Sequence, residues 1–219
     1  LVSSSPPRER PVNPTTMPQK RAREDEDVDV TELKDYLKGE ETKLRDGSKE
    51  VLNQELIKRI VAVKALDARV TAQGSFAAAL ESGVAQECRA ELTACFRVGV
   101  RLESWLNTYT PPLASGGNVG VSGEVQEALY GNVHSLTLGC GEALHRMLAF
   151  EKEHAVMRTK CTDDAVWERY KPVLEDNQLH DLCKSVMQLH SDLLMIGNSI
   201  CNNLHHINIK EDRSAVAMY

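Results

Sequence analysis

The chain has 219 residues, a formal net charge of −6 and only 5% aromatic residues. That length suits one large helical domain or two small ones, and few aromatics beside abundant Leu, Ala and Val favour helix packed on helix over a β-sandwich. An acidic balance argues against non-specific nucleic-acid binding, which needs clustered Lys and Arg; no apolar run of about 18 residues could span a membrane, and no signal-peptide hydrophobic region lies near the start.

Residues 1–16, LVSSSPPRERPVNPTT, are rich in Pro, Ser and Thr and are expected to be disordered. The chain opens on Leu1, so Met17 is a candidate start and the residues before it an extension. QKRAREDEDVD follows, and Lys20, Arg21 and Arg23 fit a short nuclear-localisation pattern. The plainer alternative is a solvated charged tail.

Four long helical segments come next. The first is expected from about Val28 to Val70, with Val30, Leu33, Leu37 and Leu44 on its early face and Leu56, Ile60, Val63 and Val70 on its later one. Asp46-Gly47-Ser48 reads as a break or kink, since Gly costs about 1 kcal/mol inside a helix. Thr71 to Ser75 reads as a turn. The second segment spans about Phe76 to Asn107, with Leu80, Val84, Cys88, Leu92, Cys95, Leu102 and Leu106 at steps of three and four.

The third runs from about Gly123 to Lys160, through Val125, Leu129, Val133, Leu136, Cys140, Ala143, Met147 and Phe150. Cys161-Thr162-Asp163 turns the chain, with Thr162 or Asp163 a candidate N-cap. The fourth runs from about Asp164 to Ile207, seamed by Leu182, Val186, Leu189, Leu193, Ile196, Ile200, Leu204 and Ile207; Pro172 is tolerable early or marks a kink. From Asn208 to Tyr219 the periodicity is lost, and a flexible tail is expected.

Steps of three and four approximate the seam of a left-handed bundle. The fold class is therefore all-α, an elongated up-down four-helix bundle. Phe96, Val98 and Val100 lie off the main seam of the second helix, and Cys183, Met187 and Leu194 make a second stripe on the fourth. Second stripes imply contacts beyond the bundle, hence side-by-side oligomers.

Six cysteines, Cys88, Cys95, Cys140, Cys161, Cys183 and Cys201, include no C-x-x-C pair. Most sit at apolar helical positions, where reduced Cys acts as a small hydrophobe. Reduced thiols in an intracellular protein are expected; a disulfide framework is the alternative.

The chemistry is sparse. GGNVGVSG lacks G-K-[ST] and misses G-x-G-x-x-G, so no nucleotide site is expected. Glu142/His145 and Glu151/His154 are Glu-x-x-His pairs, as in di-iron bundles. They lie nine residues apart on one helix, which at about 100° per residue puts them on opposite faces. His205-His206 near a helix end suits the dipole better than catalysis. No catalytic residues, metal site or cofactor are assigned.

The connection between the second and third helices, about residues 108–123, is the unusual part. Helical bundles usually turn with about 2–8 residues, and longer connections are more often functional. Pro111 and Pro112 stiffen its entry. Gly116, Gly117, Gly120 and Gly123 permit positive φ.

WLNTYTPPLASGGNVGVSGEVQE, Trp105 to Glu127, resembles the activation loop of the eleven-S (REG-type) proteasome activators. In that family a W-L pair ends helix 2, a Pro enters the loop, and a G-x-N-x-G-V tip precedes V-Q-E. Here these are Trp105-Leu106, Pro111, the stretch Gly116, Gly117, Asn118, Val119, Gly120 and Val121, and Val125-Gln126-Glu127. LEDNQLHDLCKSVMQL, Leu174 to Leu189, resembles the family's helix 4, and the Met218-Tyr219 ending is similar to theirs. Ala114 and Ser115 stand where family loops carry acidic residues, and TAQGS replaces a long Lys/Glu-rich insert.

The resemblance implies a homo-heptameric ring on the α-subunit ring of the core (20S) proteasome, in cytoplasm or nucleus. The tails, Ser214, Ala215, Val216, Ala217, Met218 and Tyr219, would enter pockets between α-subunits, with the Tyr219 carboxylate on a lysine. The loops, centred on Asn118, would open the entry gate without ATP, and the activator itself would cut nothing. This divides the chain into an extension (1–27), an activator domain (28–207) and a binding tail (208–219). The alternatives are a four-helix scaffold or adaptor unrelated to proteolysis, and a metal-binding bundle of ferritin type.

Overall fold

A computed structural model describes residues 31–108 and 121–203. Six α-helices run in chain order: α1 (Thr31–Glu50), α2 (Leu56–Thr71), α3 (Phe76–Glu81), α4 (Val84–Thr108), α5 (Val121–Lys160) and α6 (Asp164–Asn203), with a π-helical turn at Val51–Glu55 between α1 and α2. No strand occurs among the described residues.

The first rod does not break at Asp46-Gly47-Ser48, as the glycine suggested. The α-helix runs through to Glu50. Gly47 is held there from outside, because Arg101 of α4 donates to its carbonyl at 3.0 Å. Ser48, buried, donates its hydroxyl to the Leu44 carbonyl at 2.6 Å, so no polar group is left open. The irregularity comes a turn later. The Leu56 N–H bonds to the Val51 carbonyl, a five-residue step that sets two buried side chains on one face.

The second rod also departs from expectation. It is broken by Ser82-Gly83, where Gly83 takes φ +75° and separates α3 from α4. That conformation is cheap only for glycine. The break turns Leu80, expected in the seam, out to solvent, while Phe76 and Ala79 are buried instead. Ser75 caps α3 by accepting from the Ala78 N–H at 3.2 Å.

The turn into α6 follows the sequence. Asp163 Oδ1 accepts from the Ala165 N–H at 2.9 Å, the N-cap geometry. α6 continues through Pro172. The 40 residues of α5 and of α6 make rods about 60 Å long.

Contacts fix direction. Arg89 meets Glu151 and Glu103 meets His134, so α4 and α5 are antiparallel. Arg146 meets Ser185 and Arg158 meets Asp164, so α5 and α6 are too. Arg59, part-buried, grips both oxygens of Glu91 at 2.8 and 3.0 Å, and Arg101 reaches Glu50, which runs the first rod against α4. A methyl at Gly197 would stand 3.6 Å from Ile60, and Cys183 lies 3.8 Å from the Val70 carbonyl, closing the square between α2 and α6. The result is the up-down four-helix bundle the periodicity predicts.

Its core is the expected seam, including Leu92, Leu102, Val133, Leu136, Val186 and Leu193. Val98, expected off that seam, is buried as well. Phe96, Val100, Met187 and Leu194 are exposed, as their second-stripe positions imply. At the closed end Phe76 meets Phe150 edge-on at 5.0 Å, and Trp167 lies between His154 and Arg158.

The early face of the first rod is the main correction to the core. Leu33 and Leu37 are each 54% exposed. Since Arg101 sits beside Gly47 and Glu50, the first dozen residues of α1 project past the end of α4. Val30, Leu204 and Ile207 lie outside the described residues.

Candidate functional site

The end of the bundle where α4 stops and α5 starts carries the connection singled out in the sequence. Trp105 and Leu106 are buried at the foot of α4, and Leu129 is buried opposite, with Val125 and Tyr130 packed partly against the core. A Trp-Leu pair at a helix end therefore acts as an anchor. Removing such a side chain typically costs about 3–5 kcal/mol.

Above the anchor the two helices are pinned at two levels. Gly99 faces Thr137, and a methyl on Gly99 would overlap the Thr137 hydroxyl oxygen. That hydroxyl, buried, donates to the Val133 carbonyl at 3.0 Å. Nearer the end, His134 Nδ1 lies 3.2 Å from Glu103, and Tyr130 stacks on His134 with ring planes 10° apart. On the other flank Arg101 ties α4 to Gly47 and Glu50 of α1. Sequence reading missed these supports. Their one visible signal was Gly99 itself, a mid-helix glycine that costs helix stability and so implies a packing reason.

α5 begins at Val121, two residues before the expected Gly123, and α4 ends at Thr108. Val121, taken as the last residue of the loop tip, is thus the first residue of a helix. The connection is residues 109–120 rather than about 108–123. Pro111, Pro112, Gly116, Gly117, Asn118, Val119 and Gly120 lie outside the described residues. So do Lys20, Arg21 and Arg23, His205-His206, and the tail from Ser214 to Tyr219.

What the described residues do fix is where these segments leave the bundle. Arg146 beside Ser185 sets the register of α5 against α6. Asn203, the last residue of α6, then stands level with about Ala128, roughly 10 Å along the axis from Val121 at 1.5 Å per residue. The register of Glu103 against His134 puts Thr108 at the same level. The ends of α4 and α6 and the start of α5 therefore gather at one end of the bundle. The segments 109–120 and 204–219 both depart from it.

The remaining reactive groups are structural. All six cysteines are free thiols: Cys88, Cys95 and Cys140 are buried, Cys161 and Cys183 half-buried, Cys201 exposed. Burial pushes the Cys88 and Cys140 thiols up to about 12 and raises Cys95 further, so they are neutral side chains of the core. Of the Glu-x-x-His pairs, Glu142 leans on Arg146, Glu151 pairs with Arg89 and His154 packs on Trp167. Among the described residues no three His, Cys, Asp or Glu side chains are grouped to hold a metal ion. No described helix is long and apolar enough to cross a membrane.

The arrangement has a counterpart among solved structures. The chain is similar to the 11S subunit of the Plasmodium falciparum proteasome, PA28. The TM-score is 0.60 at 13% identity, over 88% of this chain and 100% of that one. At that identity the likeness establishes the fold. No protein-family model matches the chain, and no curated protein does.

Proposed function

We propose that this chain is a non-enzymatic, ATP-independent activator of the core (20S) proteasome. Heptameric rings of the bundle would dock on the α-subunit ring through the tails Ser214–Tyr219 and open the entry gate with the loops centred on Asn118. The observation that carries this reading is that Thr108, Val121 and Asn203, the residues from which the 109–120 connection and the 204–219 segment leave, gather at one end of the bundle, on a fold shared with an 11S proteasome subunit. A docking element and a gate-pressing element must act on one surface, so they must leave the scaffold at the same end.

Docking by several weak tails gains avidity of about 10²–10⁴ once the first is seated. The docked state then favours the open gate by binding free energy alone, so no nucleotide is required. Residues 20–23 would direct part of the protein to the nucleus, the remainder acting in the cytoplasm. The deciding experiment mixes the purified protein with the core proteasome of its own organism and follows cleavage of a short fluorogenic peptide. Several-fold acceleration without ATP is expected. An unchanged rate with a well-formed ring rejects the proposal.

A further inference from the structure

A cleft of about 320 Å³ opens between α5 and α6, at the lower end of the range for small-molecule sites. Its floor is apolar, since Leu92, Leu136, Cys140 and Leu189 are all buried there. Gly139 stands on its wall, where an added methyl would meet nothing within 4 Å. Its rim carries charge of both signs, from Glu142, Arg146, Asp181, Lys184 and Asp192. At one end it runs into a corner walled by Arg146, Asp181 and Ser185 and lined also by Gln178.

Gln178 is the anomaly. It is 4% exposed, yet its side-chain amide forms no hydrogen bond among the described residues. A buried amide without a partner costs stability, so a native fold that keeps one calls for an occupant that completes it. The charges beside it are also under-used. Half-buried Asp181 and exposed Lys184 make no ion pair, with each other or elsewhere among the described residues. Arg146 donates to Ser185 Oγ at 3.2 Å through Nη2, but its Nη1 stands 3.9 Å from Glu142, beyond hydrogen-bond reach. The corner thus holds an unpaired carboxylate, two cations with donors to spare and an open amide, next to an apolar floor.

We infer that this cleft binds a free α-amino acid with an apolar side chain. Its carboxylate meets Arg146, Lys184 and the Ser185 hydroxyl, and its ammonium meets Asp181. The Gln178 amide, donor and acceptor at once, completes the polar end. The side chain lies along Leu92, Leu136 and Leu189. Asp181 and Ser185 are one turn apart, about 6 Å along α6. An ammonium and a carboxylate on one carbon bridge that span with a hydrogen bond at each end. A dipeptide sets its two charges a residue further apart and overruns the corner. The order of charge excludes simpler ions. A polyamine laid along the cleft would meet Arg146 and Lys184 between the carboxylates of Asp181 and Asp192, and a phosphate would face Asp181 and Glu142. Only a ligand of both signs is matched throughout. Such a site is independent of the proteasome reading.

The test titrates leucine into the full-length protein by calorimetry and follows thermal unfolding with leucine present. One leucine per chain should bind saturably, and the unfolding midpoint should rise with leucine concentration. N-acetylleucine lacks the ammonium, leucinamide lacks the carboxylate, and leucyl-leucine separates the two. Each should bind at least tenfold more weakly than leucine. Asp181→Asn should also lose at least tenfold in leucine affinity, with an unchanged circular dichroism spectrum. Gln178→Leu is close in volume and removes the unpartnered amide. It should bind leucine at least tenfold more weakly yet unfold at a midpoint no lower than the parent's. Absence of saturable leucine binding overturns the inference, as does spermidine or inorganic phosphate binding as tightly as leucine. Leucyl-leucine binding more tightly than leucine overturns it in favour of peptide ends. Full affinity in either variant overturns it too, and a destabilised Gln178→Leu protein shows that the amide serves the fold instead.

Discussion

Gly99 on α4 and Thr137 on α5 meet with no room for a methyl group between them. The Thr137 hydroxyl cannot easily turn away, because it is buried and already donates to the Val133 carbonyl. The contact is a tight approach between the two helices whose ends carry the 109–120 connection.

Gly99→Ala should therefore destabilise the bundle although alanine is the better helix former. The gain in propensity is about 1 kcal/mol and overpacking costs about 1–3 kcal/mol, so a net loss of about 1 kcal/mol is expected. Adding Thr137→Ala should recover much of it by vacating the space. Denaturant unfolding at one protein concentration measures both. A Gly99→Ala protein more stable than the parent would show that the helices simply slide apart.

The cysteines give a second check on packing. A buried thiol raised to about 12, as at Cys88 and Cys140, is protonated at pH 8 and shielded from reagent. Thiol titration of the native protein at pH 8 should label Cys201 quickly and the half-buried Cys161 and Cys183 more slowly. Cys88, Cys95 and Cys140 should react only after unfolding. Rapid native-state labelling of Cys95 would mean that the α4–α5–α6 core opens readily.

Much of the bundle was legible because a buried helical seam repeats every three or four residues and solvent enforces that pattern. Cys88, Leu92, Cys95 and Leu102 on α4, and Leu182, Val186, Leu189, Leu193, Ile196 and Ile200 on α6, are all buried where the period put them. What was illegible depends on partners distant in sequence. Gly47 stays helical because Arg101, 54 residues away, holds its carbonyl. Gly83, which looked like one more residue of a long helix, breaks it at positive φ. Leu33 and Leu37 keep a core-like spacing yet lie past the end of α4 and are exposed, since periodicity tells which face is apolar and not what covers it. For the candidate site, the Trp105-Leu106 anchor was readable, whereas Glu103 with His134 and Gly99 with Thr137 are cross-helix pairs that no local pattern announces.

The tail can be tested by loss. α6 delivers it from the same end of the bundle as the 109–120 connection. If seven weak tails supply docking, deleting residues from Ser214 onward should weaken binding to the core proteasome by at least about 10²-fold. The ring itself should survive, because the described packing does not include the tail. Retained co-sedimentation of the truncated ring with the core proteasome would assign docking to another surface.

If the proposed function holds, Asn118→Tyr should separate docking from gate opening. Asn118 lies in the segment 109–120, whose two ends are fixed by Trp105 and Leu106 on one side and Leu129 on the other. A substitution inside that segment changes neither these anchors nor the tail sequence, so on the proposed division of roles binding should stay within about twofold of the parent. If the loop presses on the gate as proposed, a bulky ring in place of a small amide should misfit there, and stimulation of peptide cleavage should fall several-fold. The comparison is made at saturating activator, with binding measured on the same preparations. Full stimulation by the Asn118→Tyr ring would move the working contact away from the Gly116–Gly120 tip, and loss of binding in step with stimulation would make the loop a docking element instead.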